Sequence, residues 1–127
     1  MPIKKYSEPA SSFAGAKLSA SRMVRAGNFY YVSGQAGAGP NGIGQGDARA
    51  QTHQAFENVK RVLAEAGLGL EHIVKVNAFI ADERDFIWLN LAMTEIFPND
   101  PPARTTAVAK AIIDTKIEVD VVAYKED

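Results

Sequence analysis

Two short stretches of this sequence hold the side chains most able to do chemistry. Pro101-Pro102-Ala103-Arg104-Thr105-Thr106 sets an arginine directly after a proline-rich break, and Ile117-Glu118-Val119-Asp120-Val121-Val122-Ala123 sets a glutamate inside an apolar run. Arginine presents a planar fork that grips a carboxylate through two parallel hydrogen bonds. A glutamate held among apolar neighbours becomes a better proton acceptor and can orient or deprotonate a water. Together the pair suggests a site for a small acidic molecule with one reactive carbon. The residues alone leave plainer roles open. Arg104 could form an ion pair at a strand end, Glu118 could point to solvent at a sheet edge, and Ser33 could bond its own turn.

Other chemistries find less support. The chain has no cysteine, so thiol nucleophiles, disulfides and cysteine-ligated metals are excluded. The two histidines, His53 and His72, lack the close spacing of a metal site, and no motif supports a Ser/His/Asp triad that uses either. Six glycines crowd residues 34–46, but no Gly-Lys-Ser or Gly-Lys-Thr follows, so the stretch reads as a loop rather than a phosphate cradle. Net charge is -1 and the pI is about 6.1, which gives no electrostatic basis for nucleic-acid binding. Phe29, Tyr30, Tyr31 and Trp88 therefore read as core or interface residues rather than as base-stacking platforms. No apolar run approaches the ~18 residues needed to cross a bilayer, and the start of the chain lacks the apolar segment of a signal peptide. A cytoplasmic protein without membrane or nucleic-acid partners is expected.

At 127 residues, 46% of them hydrophobic, the chain reads as one domain, residues 1–127, with a modest core. Residues 1–16 read as an irregular lead-in. Lys17–Val24 and Phe29–Ser33 read as a hairpin about the turn Ala26-Gly27-Asn28. An apolar stripe (Thr52, Ala55, Phe56, Val59, Val62, Leu63, Ala66) predicts a helix from Asp47 to Ala66, with Gly67 as its stop. His72–Ile80 is apolar on both faces and reads as a central strand. Asp82 reads as the cap of a second helix running to about Phe97, with the stripe Phe86, Leu89, Met93, Ile96 and Phe97. Strands are expected at 104–111 and 115–124, and a small extra strand could lie in the glycine-rich region. The order is β-β-α-β-α-β-β, an α+β domain with a mixed sheet and two helices on one face. The last strand carries apolar residues at both parities, so its second face needs cover, and a homo-oligomer is expected.

Several segments in order resemble the YjgF/RidA family, the imine deaminases also labelled endoribonuclease L-PSP. They are Val24-Arg25-Ala26-Gly27-Asn28, Tyr31-Val32-Ser33-Gly34-Gln35, Gln54-Ala55-Phe56-Glu57-Asn58-Val59, Asp85-Phe86 with Asn90, and the two stretches around Arg104 and Glu118. The resemblance implies a chorismate-mutase-like fold and a homotrimer whose sheets form a central barrel, with sites in the clefts between subunits. It implies hydrolysis of enamines and imines, such as 2-aminoacrylate, to 2-keto acids and ammonia, with no cofactor and no metal. By the same resemblance Arg104 grips the substrate carboxylate and Glu118 handles water, helped by the backbone carbonyl of Thr106. Ser33 and Gly34 line the pocket through their backbone, and Asn90 lies near it.

The sequence also departs from the family pattern. Ala20 stands where the family carries a pocket tyrosine. The segment between Arg104 and Glu118 is one residue shorter than in typical members, which leaves Asp120 as an alternative to Glu118. Competing functions are a non-catalytic trimer that binds small carboxylates, a pathway-specific deaminase of the 2-aminomuconate type, and an RNA-cleaving protein.

Overall fold

The structure, a computed structural model, describes residues 3–7, 12–13, 16–17, 19–38 and 46–127. Its centre is a six-stranded sheet. In chain order its strands are β1 (Ile3–Tyr6), β4 (Met23–Ala26), β5 (Phe29–Ala36), β6 (Ile73–Ile80), β7 (Ala103–Val108) and β8 (Ile117–Tyr124). Two further short strands, β2 (Ser12–Phe13) and β3 (Ala16–Lys17), pair only with each other. The sheet order is β1-β4-β5-β8-β6-β7. All pairings are antiparallel except β6 with β7, which are joined by a crossover helix as parallel neighbours require.

Helix α1 (Ala48–Ala64) follows the predicted stripe, burying Thr52, Ala55, Phe56, Val59, Val62 and Leu63. The Asp47 side chain accepts from the Ala50 N–H at 2.9 Å and caps its first turn. Helix α2 (Phe86–Ile96) is preceded by a single 3-10 turn, Glu83–Asp85, which Asp82 caps. Both helices cover the same face of the sheet. On that face lie Met23, Tyr30, Val32, Val76, Ala78, Ile80, Ile117, Val119, Val121 and Ala123, all buried. The alternate residues of β8, Glu118, Asp120, Val122 and Tyr124, are half-buried on the open face. Phe29 and Tyr31, 42% and 47% exposed, share that open side of β5 with them.

Three expectations need correcting. The lead-in is not irregular throughout: Ile3–Tyr6 pairs with β4 as an edge strand. The strand expected at Lys17–Val24 lies later, at Met23–Ala26, because the fully buried Met23 must sit opposite Val32. Lys17 belongs instead to the small β2–β3 pair, and Ala20 lies outside any strand. Phe86 is 44% exposed and does not join the α2 stripe, which buries Leu89, Ala92 and Met93. The extra strand considered within the glycine-rich stretch falls mostly on 39–45, outside the described residues.

A buried polar knot ties α1 to the start of β8. Gln51, 1% exposed, accepts from the Lys116 N–H at 2.8 Å and from the Thr115 hydroxyl at 3.1 Å, and donates to the Gly46 carbonyl at 3.0 Å. Gly37 approaches α1 so closely that a Cβ would lie 2.4 Å from the Gln51 Cβ, and its N–H donates to Thr115 Oγ1. Asn58 donates to the Ala36 and Ala38 carbonyls. Gln51→Leu keeps the side-chain bulk but removes the acceptor of the Lys116 N–H and the donor to the Gly46 carbonyl, while the Thr115 hydroxyl keeps the Ile117 carbonyl. The substitution is expected to destabilise the fold by about 3 kcal/mol, read as a lower urea midpoint at unchanged slope.

Candidate functional site

Arg104 lies on β7 directly beside Val76 of β6, on the face that the helices cover. That register carries its side chain to α2, where it donates to Asn90 Oδ1 at 2.9 Å and its guanidinium carbon sits 5.8 Å from the centre of the Phe86 ring. Phe86 and Asn90 are one helical turn apart, so α2 offers both from one side. No carboxylate pairs with Arg104 among the described residues. An arginine held by a neutral amide and an aromatic face keeps donors for an anion. A groove of about 410 Å³ opens beside it along α2, a size within the ~300–1,000 Å³ of small-molecule clefts.

Glu118 lies on β8 opposite Phe79 on one side and Ala36 on the other, out of phase with the buried Ile117 and Val119. It therefore faces the open side of the sheet. β5 bulges between Val32 and Gln35, and the bulge brings Gly34 under the carboxylate. A Cβ on Gly34 would lie 2.5 Å from Glu118 Oε1 and 3.1 Å from its Cδ. Gly34→Ala is thus expected to push the carboxylate out of place. The check is a changed pH dependence of Glu118 titration, followed by NMR, with only a small change in unfolding midpoint.

Burial raises the Glu118 pKa above the usual carboxylate value, and the Asp120 charge adds to the rise. The two carboxylates share a face, but Asp120 accepts from Asn77 Nδ2 at 2.9 Å, whereas Glu118 has no hydrogen bond or ion pair among the described residues. Glu118 is the less committed of the two.

Ser33 lies in the same bulge. Its hydroxyl donates to the Ser21 carbonyl at 2.6 Å and its N–H to the Arg22 carbonyl at 2.9 Å, so the hydroxyl is used locally. The exposed Ala20 precedes Ser21 in the chain. Thr106 sits on β7 beside Ala78. β7 is an edge strand, with one side of its backbone unpaired by any strand among the described residues.

The predicted residues thus form two groups. Arg104 and Asn90, with Thr106 further along β7, occupy the helix-covered face at the β7 edge. Glu118, Gly34 and Ser33 occupy β8 and β5, with Glu118 on the open face. A single chain does not bring Arg104 and Glu118 together. Phe86 was not expected to touch Arg104, though its one-turn spacing from Asn90 carried that signal. His53 joins Glu95, which also pairs with Arg49; Arg49 first and His53 second hold that carboxyl down at about 2. His72 Nδ1 accepts from the Gly69 N–H. Both histidines are bound away from the two groups, and no cluster of metal-ligating side chains occurs among the described residues.

The geometry on this chain is thus an arginine without a carboxylate partner among the described residues, set beside a groove. The family model described as Endoribonuclease L-PSP matches residues 11–125. The chain belongs to this family, the YjgF/RidA family. A RutC family protein of Pyrococcus horikoshii is 37% identical over 109 residues, covering 84% of this chain and 86% of the relative. A protein of Dermatophagoides farinae named 2-iminobutanoate/2-iminopropanoate deaminase is 36% identical over 109 residues, covering 84% of this chain and 85% of that protein. The crystal structure of yeast Mmf1 superimposes with a TM-score of 0.84 at 35% identity, covering 98% of this chain and 100% of the other. Mmf1 is named as mitochondrial, so membership of the family does not by itself fix a compartment. No helix among the described residues is long and apolar enough to cross a membrane.

Proposed function

We propose that this protein hydrolyses reactive 2-imino acids and their enamine tautomers to 2-keto acids and ammonia. Its site would be completed by a second copy of the chain. The observation that carries this reading is Arg104: a guanidinium without a carboxylate partner among the described residues, fixed by Asn90 and Phe86 at the mouth of a groove. It is built to receive the carboxylate of a small acid. The relative named as a 2-iminobutanoate/2-iminopropanoate deaminase supports the choice of acid.

The chemistry asks little of the protein. Arg104 holds the carboxylate and so fixes the adjacent imine carbon. Glu118, its pKa raised by burial, takes a proton from water as the water oxygen bonds to that carbon. The C=N electron pair moves to nitrogen, which is protonated. The carbinolamine then collapses: the C–N bond breaks, ammonia leaves, and the hydroxyl becomes the keto oxygen. The Thr106 carbonyl helps hold the water, and the Ser33–Gly34 backbone lines the opposite wall. The residues in hand need no cofactor for these steps.

Because Arg104 and Glu118 lie on opposite faces of one sheet, the Arg104 group of one copy must meet the Glu118 group of another. The open face with Phe29 and Tyr31, and the free edge of β7, are surfaces on which copies would meet. A homotrimer with its sheets inward fits both, and Asp120 and Asn77 would then line the interior with Glu118. The exchange of the family tyrosine for Ala20 leaves the Glu118 side of the cleft wider. The two groups, one per face, would equally serve a carboxylate-binding protein without turnover.

The test generates imines in place with an amino-acid oxidase and follows their disappearance with and without the protein. Accelerated loss that vanishes in Arg104→Ala supports the deaminase. Binding of 2-keto acids with no acceleration for any imine would sink it in favour of the carboxylate-binding reading.

A further inference from the structure

The groove beside Arg104 is chemically lopsided, and that asymmetry speaks to which acids fit. Asn90 and Arg104 stand at one end. From there α2 runs from Asn90 to Phe97, a length of about 10 Å at ~1.5 Å per residue. Along it the walls are Met93, Thr94 and Phe97, faced by Pro98, Pro101 and Pro102. The Thr94 hydroxyl is spent on the Asn90 carbonyl at 3.0 Å, so it offers the groove mainly its methyl group. Beyond the Arg104 end the lining supplies no charged group.

The walls are also stiff where stiffness helps. Three prolines have fixed φ angles, and Asp100 turns the segment between them with a φ of 48°. Phe97 is braced edge-on by Phe56 at 5.4 Å. Met93 is the adaptable member, able to follow apolar shapes. One cation at the end of an open groove whose remaining side chains are uncharged, with Phe97 and three prolines among them, suits a carboxylate with an apolar tail.

We propose that this groove receives the substrate's side chain, and that the protein therefore favours 2-imino acids with branched aliphatic or aromatic side chains over those with a methyl or ethyl group. The inference rests on the reading of Arg104 as the carboxylate anchor. Larger tails displace more water from the Met93–Phe97 wall and gain affinity in proportion to the apolar area they bury. A short tail leaves most of the trough hydrated. The imines that this site handles would be formed from apolar amino acids by enzymes that oxidise the bond between the α-carbon and its nitrogen.

The experiment measures calorimetric binding of stable 2-keto acids whose side chain grows from methyl to isobutyl to benzyl, beside turnover of the matching imines. The full chain is compared with Thr94→Trp, which places an indole in the groove from an exposed helix position. The expected result is at least ~10-fold tighter binding of the benzyl acid than of the methyl acid, with that ratio falling to about one in Thr94→Trp. Equal affinity for all three acids, or a ratio unmoved by the indole, would overturn the side-chain groove while imine turnover leaves the deaminase standing. A graded preference without turnover of any imine supports the groove and overturns the deaminase. Failure of every acid to bind, with no imine turned over, overturns both.

Discussion

Arg104→Ala is expected to lower kcat/KM for 2-imino acids by about 10²- to 10³-fold, since a charge-assisted pair and the orientation it imposes are together worth ~3–4 kcal/mol at ~1.4 kcal/mol per tenfold. The loss should appear in both KM and kcat, because in the proposed reaction the arginine would bind the carboxylate and also fix where the imine carbon sits. Arg104→Lys should recover little. An ammonium is a point charge and cannot donate to Asn90 Oδ1 while offering two parallel donors to a carboxylate. Thermal stability should change little in either variant, because Arg104 has no ion pair among the described residues and is only half-buried. Steady-state rates on oxidase-generated imines and a melting curve check both statements. Undiminished turnover in Arg104→Ala would move the anchor elsewhere.

How far the sequence reveals this site depends on which contacts are local. Helix α1 was legible because its stripe, cap and glycine stop all lie within twenty or so residues and agree. The sides of β8 were legible only in part: Ile117, Val119 and Val121 share one parity and Glu118 and Asp120 the other, but Val122 makes the second parity apolar too. The face that Arg104 adopts depends instead on the parallel register of β7 against β6, set by a crossover helix and invisible to local pattern. β1 was missed because only Tyr6 of its four residues is even partly buried; pairing with β4, not apolar alternation, makes it a strand. Phe86 fitted the α2 stripe by arithmetic, but α1 packs against the side bearing Leu89, Ala92 and Met93 and leaves Phe86 to Arg104. The polar knot at Gln51 gave no signal either, because a glutamine on an apolar stripe shows its partners only after the chain has folded.

Glu118→Gln separates the two demands made on this residue. Turnover should fall by about 10²-fold, the usual worth of a positioned base, because an amide cannot take the proton from water. Stability should move the other way. Burial first, and the Asp120 charge second, raise the folded pKa of Glu118 above its unfolded value, so the fold prefers the protonated form. The contribution of that preference is complete below the unfolded pKa and is lost as pH rises through the folded one. Wherever Glu118 is ionised the wild-type protein carries a half-buried charge beside Asp120, and the glutamine variant does not. The variant should melt higher than wild type at pH 7, and the gap should close as pH falls through the folded pKa toward the unfolded value. The pH profile of kcat/KM supplies the matching readout: its acid limb should sit above the ordinary carboxylate range and disappear with the substitution. A glutamine variant that keeps its rate, or that melts lower at pH 7, would assign the proton transfer to another group and return Glu118 to a purely structural place on the open face.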